Sequence, residues 1–234
     1  MSRREAYAHL EAALRTFDPA VLEAHGFALG GATRIALAHG EVRVSYDLDF
    51  LGSDAAGFAA LRARVKERGP HSLAREGATL DVPREPTIDQ YGVRFPVRLG
   101  DGLLKVEFVR EARLLLGRPV REAFCDLPLL SIEDCIAEKL LANSDRGADP
   151  TQFHRDVIDL AILRDVHGPI PERAWRKALA AYGELVRTDL RDSLARILGD
   201  EARRHRDFQA LRVDAPDRVL EGLRLLAEDP GMAL

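Results

Sequence analysis

From Arg4 to Phe17 the apolar residues Tyr7, Leu10, Ala13, Leu14 and Phe17 recur at helical spacing, which predicts a helix ended by Asp18-Pro19. Phe27-Ala28-Leu29, the pair Gly30-Gly31 and an Ala-rich stretch over 32–39 read as a short strand, a tight turn and a helix. The most regular alternation follows. Val42, Val44, Tyr46, Leu48 and Phe50 alternate with Arg43, Ser45, Asp47 and Asp49, the period of a strand with every polar side chain on one face. A helix is expected over 55–68, then strands over 78–82, 93–99 and 103–109 between Gly and Pro turns. After about Glu111 the strand signals stop, and helical periodicity covers 132–143, 153–166, 172–182, 185–198 and 215–226. The pattern predicts an α/β (α+β) protein, with a mixed sheet in a first domain over residues 1–120 and a helical second domain over 121–234. The join lies near 117–130, which holds Gly117, Pro119 and Pro128.

Composition narrows the function classes. Of 234 residues 46% are hydrophobic, enough to bury a core, so the chain need not be disordered. The net charge of -4 argues against attachment to nucleic acid through bulk positive charge. An RNA partner would have to use a local patch, of which Arg203-Arg204-His205-Arg206 is the densest. No apolar run approaches the roughly 18 residues of a membrane span, and the charged amphipathic start is unlike a signal peptide, so a soluble cytoplasmic protein without a membrane partner is expected. Cys125 and Cys135, the only cysteines, are too few for a disulfide framework and read as core residues. Against 30 arginines there are four lysines, Lys66, Lys105, Lys139 and Lys177, which makes each retained lysine more informative.

The chemistry begins on the alternating strand. Asp47 and Asp49 project from one face about 7 Å apart at Cα, close enough to bend toward shared divalent cations, and oxygen ligands favour Mg²⁺. On the later strand Lys105 and Glu107 share a face, making Glu107 a candidate third metal ligand. Gly30 and Gly31 end a strand and precede a helix, where backbone N–H groups can receive a phosphate. Neither a P-loop nor a Rossmann fingerprint is present.

Gly30-Gly31-Ala32-Thr33, followed by Arg43-Val44-Ser45-Tyr46-Asp47-Leu48-Asp49-Phe50, resembles the first signature of the DNA polymerase β type nucleotidyltransferase superfamily. The form R-x-S-x-D-x-D-F is more specific and resembles the AbiEii/AbiGii toxin family, which includes the MenT toxins. Two later elements extend the likeness to about residues 27–165: Glu138-Lys139-Leu140-Leu141, and Arg155-Asp156-Val157-Ile158-Asp159-Leu160. The resemblance implies a Mg²⁺-dependent nucleotidyltransferase acting on an NTP. Asp47, Asp49, Lys139 and Asp156 would be catalytic, and Asp47 and Asp49 would hold the metal; Glu107, the third ligand suggested by the strand pattern, stands at a position the family fills variably. Gly30, Gly31, Thr33, Arg43, Ser45 and Lys139 would lie at the nucleotide, with Asp156 a candidate base for the acceptor hydroxyl and Asp159 orienting. It further implies transfer to RNA, the tRNA 3′ end foremost, by the toxin of a toxin–antitoxin pair with a cognate antitoxin protein. The same chemistry on a protein or small-molecule hydroxyl, and a binding module without turnover, are the alternatives. Ala32 departs from the pattern, standing where a hydroxyl residue is usual.

Overall fold

The computed structural model describes residues 3–100 and 102–232. The chain divides into two compact units, Met1–Ala38 with Ser45–Ser131, and His39–Val44 with Ile132–Leu234. Each follows from its own pattern.

The first unit is built on a seven-stranded mixed sheet: β1 (Ala28–Leu29), β2 (Asp47–Gly52), β3 (Thr87–Ile88), β4 (Gly92–Leu99), β5 (Gly102–Arg110), β6 (Val120–Glu122) and β7 (Cys125–Leu129), in the order β3-β4-β5-β2-β1-β7-β6. The centre is parallel, β2 with β5, while β1 runs antiparallel to β2 and parallel to β7. On one face Leu48, Phe50, Val106 and Phe108 alternate inward, where Phe50 and Phe108 stack at 4.7 Å and Phe17 tilts onto Phe50 at 5.1 Å. Helices α1 (Arg3–Thr16), α2 (Pro19–Ala24) and α4 (Ala55–Arg68) close this core with Tyr7, Leu10, Leu22, Phe58 and Leu61. Each buried side chain of this size contributes about 1.5–3 kcal/mol. Helix α3 (Gly31–Ala38) follows directly on β1.

The second unit is helical: α5 (Ile132–Arg146), α6 (Arg155–His167), α7 (Glu172–Tyr182), α8 (Leu185–Gly199), α9 (Glu201–Ala210) and α10 (Pro216–Ala227). Residues 39–44 belong to it as a strap. Val44 N–H donates to the Leu211 carbonyl, and Asp214 N–H donates to that of Val42.

Three expectations are corrected. The alternating strand starts at Asp47, not Val42, because Val42 and Val44 are drawn into the strap and find backbone partners near 211–214. Residues 78–82 form no strand among the described elements; Leu80 is buried, and the segment reaches β4 through a backbone bond from Arg98 N–H to the Asp81 carbonyl rather than through a ladder. Strands do not stop at Glu111, since β6 and β7 form a hairpin within 120–129. Pro119 and Pro128 disguise it as a linker, although Pro128 is tolerated where its nitrogen need not donate. Similarly, the charge run near 203–206 sits inside α9, capped by Asp200, whose carboxylate accepts from Arg203 N–H. Cys125 and Cys135 are buried and form no disulfide. No described helix is long and apolar enough to cross a membrane.

Candidate active site

Asp47 and Asp49 stand on the face of β2 opposite the aromatic core, in register with Lys105 and Glu107 of β5. Register-paired residues point the same way, so the face carries Asp47, Asp49, Lys105 and Glu107, with Arg94 of β4 beside Glu107. The turn Gly30-Gly31 wraps this strand. Gly30 N–H donates to the Asp49 carbonyl at 2.8 Å, and a Cβ on Gly30 would lie 2.7 Å from Leu130 and Leu51. Gly31 has φ +63°, and a Cβ there would overlap the Asp49 carboxylate. Both glycines are therefore demanded by close approach, the second also by backbone conformation. Thr33 is fully buried and donates its hydroxyl to the Asp47 carbonyl at 2.5 Å, anchoring the start of the strand. Ser45 is buried just ahead of β2.

Glu107 is occupied otherwise. Arg94 Nε lies 2.9 Å from one of its oxygens and Lys105 Nζ 2.6 Å from the other. Among the described residues no group of three or more His, Cys, Asp or Glu is arranged for a metal. The donor set nonetheless suits Mg²⁺, which takes one or two carboxylates and completes its octahedron with water and substrate phosphates. Asp47 and Asp49 fit that requirement, and the Gly31 cradle holds Asp49 in place; Glu107 is bound to its two cations.

In the helical unit Arg43, Lys139, Asp156 and Asp159 are all buried and form one chain of ion pairs. The Arg43 guanidinium grips Asp159 with two bonds of 2.6 and 2.7 Å. Lys139 Nζ lies 2.6 Å from Asp159 and 2.9 Å from Asp156. Arg146 completes the chain with bonds of 2.6 and 2.9 Å to Asp156. The spacing of Asp156 and Asp159 on one turn of α6 lets both reach Lys139 on α5. Burial pushes the Asp156 carboxyl up, but Lys139 and Arg146 outweigh it and hold the group well below the usual carboxylate range. For Asp159, burial is likewise outweighed by Arg43 and then Lys139, with a net lowering. Burial lowers Lys139, yet the attraction of Asp159 and Asp156 prevails and raises it. All three groups are charged at neutral pH. Asp156, with both oxygens engaged and its proton affinity reduced, holds Lys139 in place in this arrangement and is poorly suited to accept a proton.

Residues 12–222 match the family described as the nucleotidyl transferase AbiEii toxin of type IV toxin–antitoxin systems. The chain belongs to the AbiEii nucleotidyltransferase toxin family. Among solved structures, JHP933 from Helicobacter pylori is similar to this AbiEii-family chain at 18% identity and a TM-score of 0.56, over 96% of this chain and 92% of that one. A second H. pylori protein, named provisionally as a nucleotidyltransferase, is similar at 18% identity and a TM-score of 0.50, over 97% and 96%. At that identity the likeness concerns the mixed α/β fold. No curated protein matches the chain.

The structure brings the sequence-predicted residues of the AbiEii-family chain together in two sets: Gly30, Gly31, Thr33, Asp47, Asp49 and Glu107 in the sheet unit, and Arg43, Lys139 and Asp156 in the helical unit. The candidate RNA contacts fare differently. Arg204 donates to the carbonyls of Ile197 and Leu198 at the end of α8, and Arg203 lies 3.7 Å from Asp200, which leaves Arg206 as the exposed arginine of the run. Arg34 is fully buried, bound to the Leu130 carbonyl and Glu122. Sequence reasoning cast Asp159 as an orienting residue; what it missed is the pairing of Asp159 with Arg43, 116 positions away, for which no local signal exists.

Proposed function

We propose that this AbiEii-family chain moves a nucleoside monophosphate from an NTP to an RNA acceptor, with the tRNA 3′ end as the preferred acceptor, in the cytoplasm and under the control of a cognate antitoxin protein. The acceptor hydroxyl attacks the α-phosphorus, a new P–O bond forms, the α–β anhydride breaks, pyrophosphate leaves and the hydroxyl proton passes to solvent. Asp47 and Asp49 would hold Mg²⁺, which neutralises charge on the attacking and leaving oxygens when bound. The Gly30-Gly31 turn and Ser45 bind the nucleotide in this reading, and Thr33 supports the strand rather than the ligand. Three cations, Arg43, Lys139 and Arg146, against two carboxylates leave the helical cluster net positive, a charge suited to a triphosphate. The observation that carries the proposal is the pair of carboxylates on one strand face with Asp49 seated against Gly31.

A second reading keeps the chemistry but transfers to a protein or small-molecule hydroxyl. The net charge of -4 and the structural employment of Arg34, Arg43 and Arg204 favour it. Incubating the protein with each labelled NTP, Mg²⁺ and total RNA separates the two. Label on RNA supports the first reading, label on protein or a small molecule supports the second, and no transfer at all refutes both. Asp47→Asn and Asp49→Asn should each lower transfer by about 100-fold or more with unchanged melting temperature, since they alter charge on a sheet face without touching the core. Near-normal turnover in either variant would remove that aspartate from the metal site.

A further inference from the structure

Within the sheet unit, the face that carries Asp47 and Asp49 continues along β2 to the edge of a cavity. Leu51 points the same way as the two aspartates, is in register with Ala28 of β1, and lies with Leu130 against the bare Cα of Gly30. Ala28, Leu51 and Leu130 are buried and floor a cavity of about 420 Å³. The segment between β5 and β6 supplies its other wall, and that segment is pinned at several points. Glu111 N–H donates to the Gly52 carbonyl at 3.0 Å, the Glu111 carboxylate accepts from the N–H groups of Arg113 and Leu114 at 2.5 and 3.1 Å, and Leu116 N–H donates to Ser53 Oγ at 3.1 Å. The cavity is therefore preformed, and its volume falls within the range of about 300–1,000 Å³ found for small-molecule sites. Arg118 stands exposed at its rim.

Position and lining together select the occupant. Asp49 and Leu51 are two strand residues apart, about 7 Å at Cα, so a ligand whose phosphates lie at the aspartates and the Gly30-Gly31 turn brings its next group to the cavity. In an NTP that group is the nucleoside. Gly30 borders both places: its N–H donates to the Asp49 carbonyl, and a Cβ there would press into Leu51 and Leu130. The apolar floor suits the flat face of a base, and a guanidinium such as that of Arg118 stacks on aromatic planes, which an ammonium does less well. A bare triphosphate, charged throughout, gains nothing from Ala28, Leu51 and Leu130.

We propose that the cavity over Ala28, Leu51 and Leu130, rimmed by Arg118, holds the nucleoside of the donor NTP. The inference rests on the proposed nucleotidyltransferase reading and says where that reading's donor places its base. Full-length protein in millimolar Mg²⁺ would be titrated by calorimetry with α,β-methylene analogues of the four NTPs, which cannot release pyrophosphate, and with inorganic tripolyphosphate. The best-bound analogue should bind about tenfold or more tighter than tripolyphosphate, the gain expected from burying a base. Arg118→Ala, which removes an exposed side chain, and Ala28→Leu, which fills the floor, should each erase most of that difference while leaving tripolyphosphate affinity unchanged. In the unsubstituted protein the amides of residues 112–119 should exchange with solvent more slowly under the analogue than under tripolyphosphate. An analogue bound no more tightly than tripolyphosphate, or a difference that survives in either variant, overturns the nucleoside site and leaves the donor reading standing. Absence of binding by all four analogues and by tripolyphosphate refutes the donor reading and the site together. Should Ala28→Leu fail to fold, Arg118→Ala and the exchange measurement decide, since equal exchange under the two ligands would also overturn the site.

Discussion

Gly31 shows how one residue can serve both fold and site. Its φ of +63° and the overlap that a Cβ would make with the Asp49 carboxylate leave no room for a side chain. Gly31→Ala should cost about 1–2 kcal/mol of stability in urea denaturation and, by pushing Asp49 off its seat, lower nucleotide transfer more than that loss explains. Full transfer in this variant would show that Asp49 does not need the cradle. Lys139 poses a different case. Without it, Asp156 and Asp159 stay buried with only Arg146 and Arg43 to compensate them, and breaking a buried charge cluster costs about 3–5 kcal/mol. Lys139→Ala should therefore lower melting temperature and transfer together. An unchanged melting temperature would mean that the cluster is less tightly coupled than its distances imply.

At the scale of elements, capping separates helices that stand by themselves from those set by packing. Helix α4 agrees with its predicted span, and Asp54 caps it with both oxygens, accepting from Ala56 N–H at 3.2 Å and Gly57 N–H at 2.8 Å. Asp54→Ala should remove about 1 kcal/mol, seen as a melting-temperature drop of about 2–4 °C, without altering transfer kinetics once the protein is folded. A loss of transfer at full folding would tie α4 to the site. Helix α6 starts otherwise. Its expected first residues, Phe153 and His154, lie in the left-handed region at φ +52° and +49°, and His154 is buried with Nδ1 2.6 Å from Asp207. That contact, formed across 53 positions of sequence, sets where the helix begins and so where Asp156 points.

For the whole molecule the buried ion cluster dictates a pH window. Asp156 and Asp159 have carboxyls lowered relative to the unfolded chain, so their contribution is present above the unfolded value of about 3.9 and is lost as pH falls toward their folded values. Lys139 is raised, so its contribution is complete below the unfolded value of about 10.4 and is lost as pH climbs through the folded one. Stability of the helical unit should be flat between these limits and fall outside both. Equilibrium unfolding from pH 2.5 to 11 checks this, and replacing Lys139 should flatten the alkaline limb. An alkaline limb of equal steepness in that variant would assign it to other groups.

The periodicity of the chain by itself determined most helices, the strands β4 and β5, and the shared face of Asp47 and Asp49. Each of these is written within a window of about ten residues, where side-chain direction follows from the backbone repeat. The Gly30-Gly31 turn and the family likeness were legible for the same reason, as short motifs. Tertiary structure alone decided where the alternating pattern ceases to be sheet, because Val42 and Val44 take backbone partners that lie far away at 211–214. It decided that β6 and β7 are strands, since a hairpin of three and five residues gains its order from pairing with β1 rather than from its own sequence. It also decided which charges are committed. Nothing local distinguishes Arg34, fully buried against Leu130 and Glu122, from an exposed arginine, or assigns Asp159 to Arg43 across 116 positions. Those pairings depend on which distant groups share a region from which water has been removed, and a buried charge is tolerated only where such a partner has been brought to it.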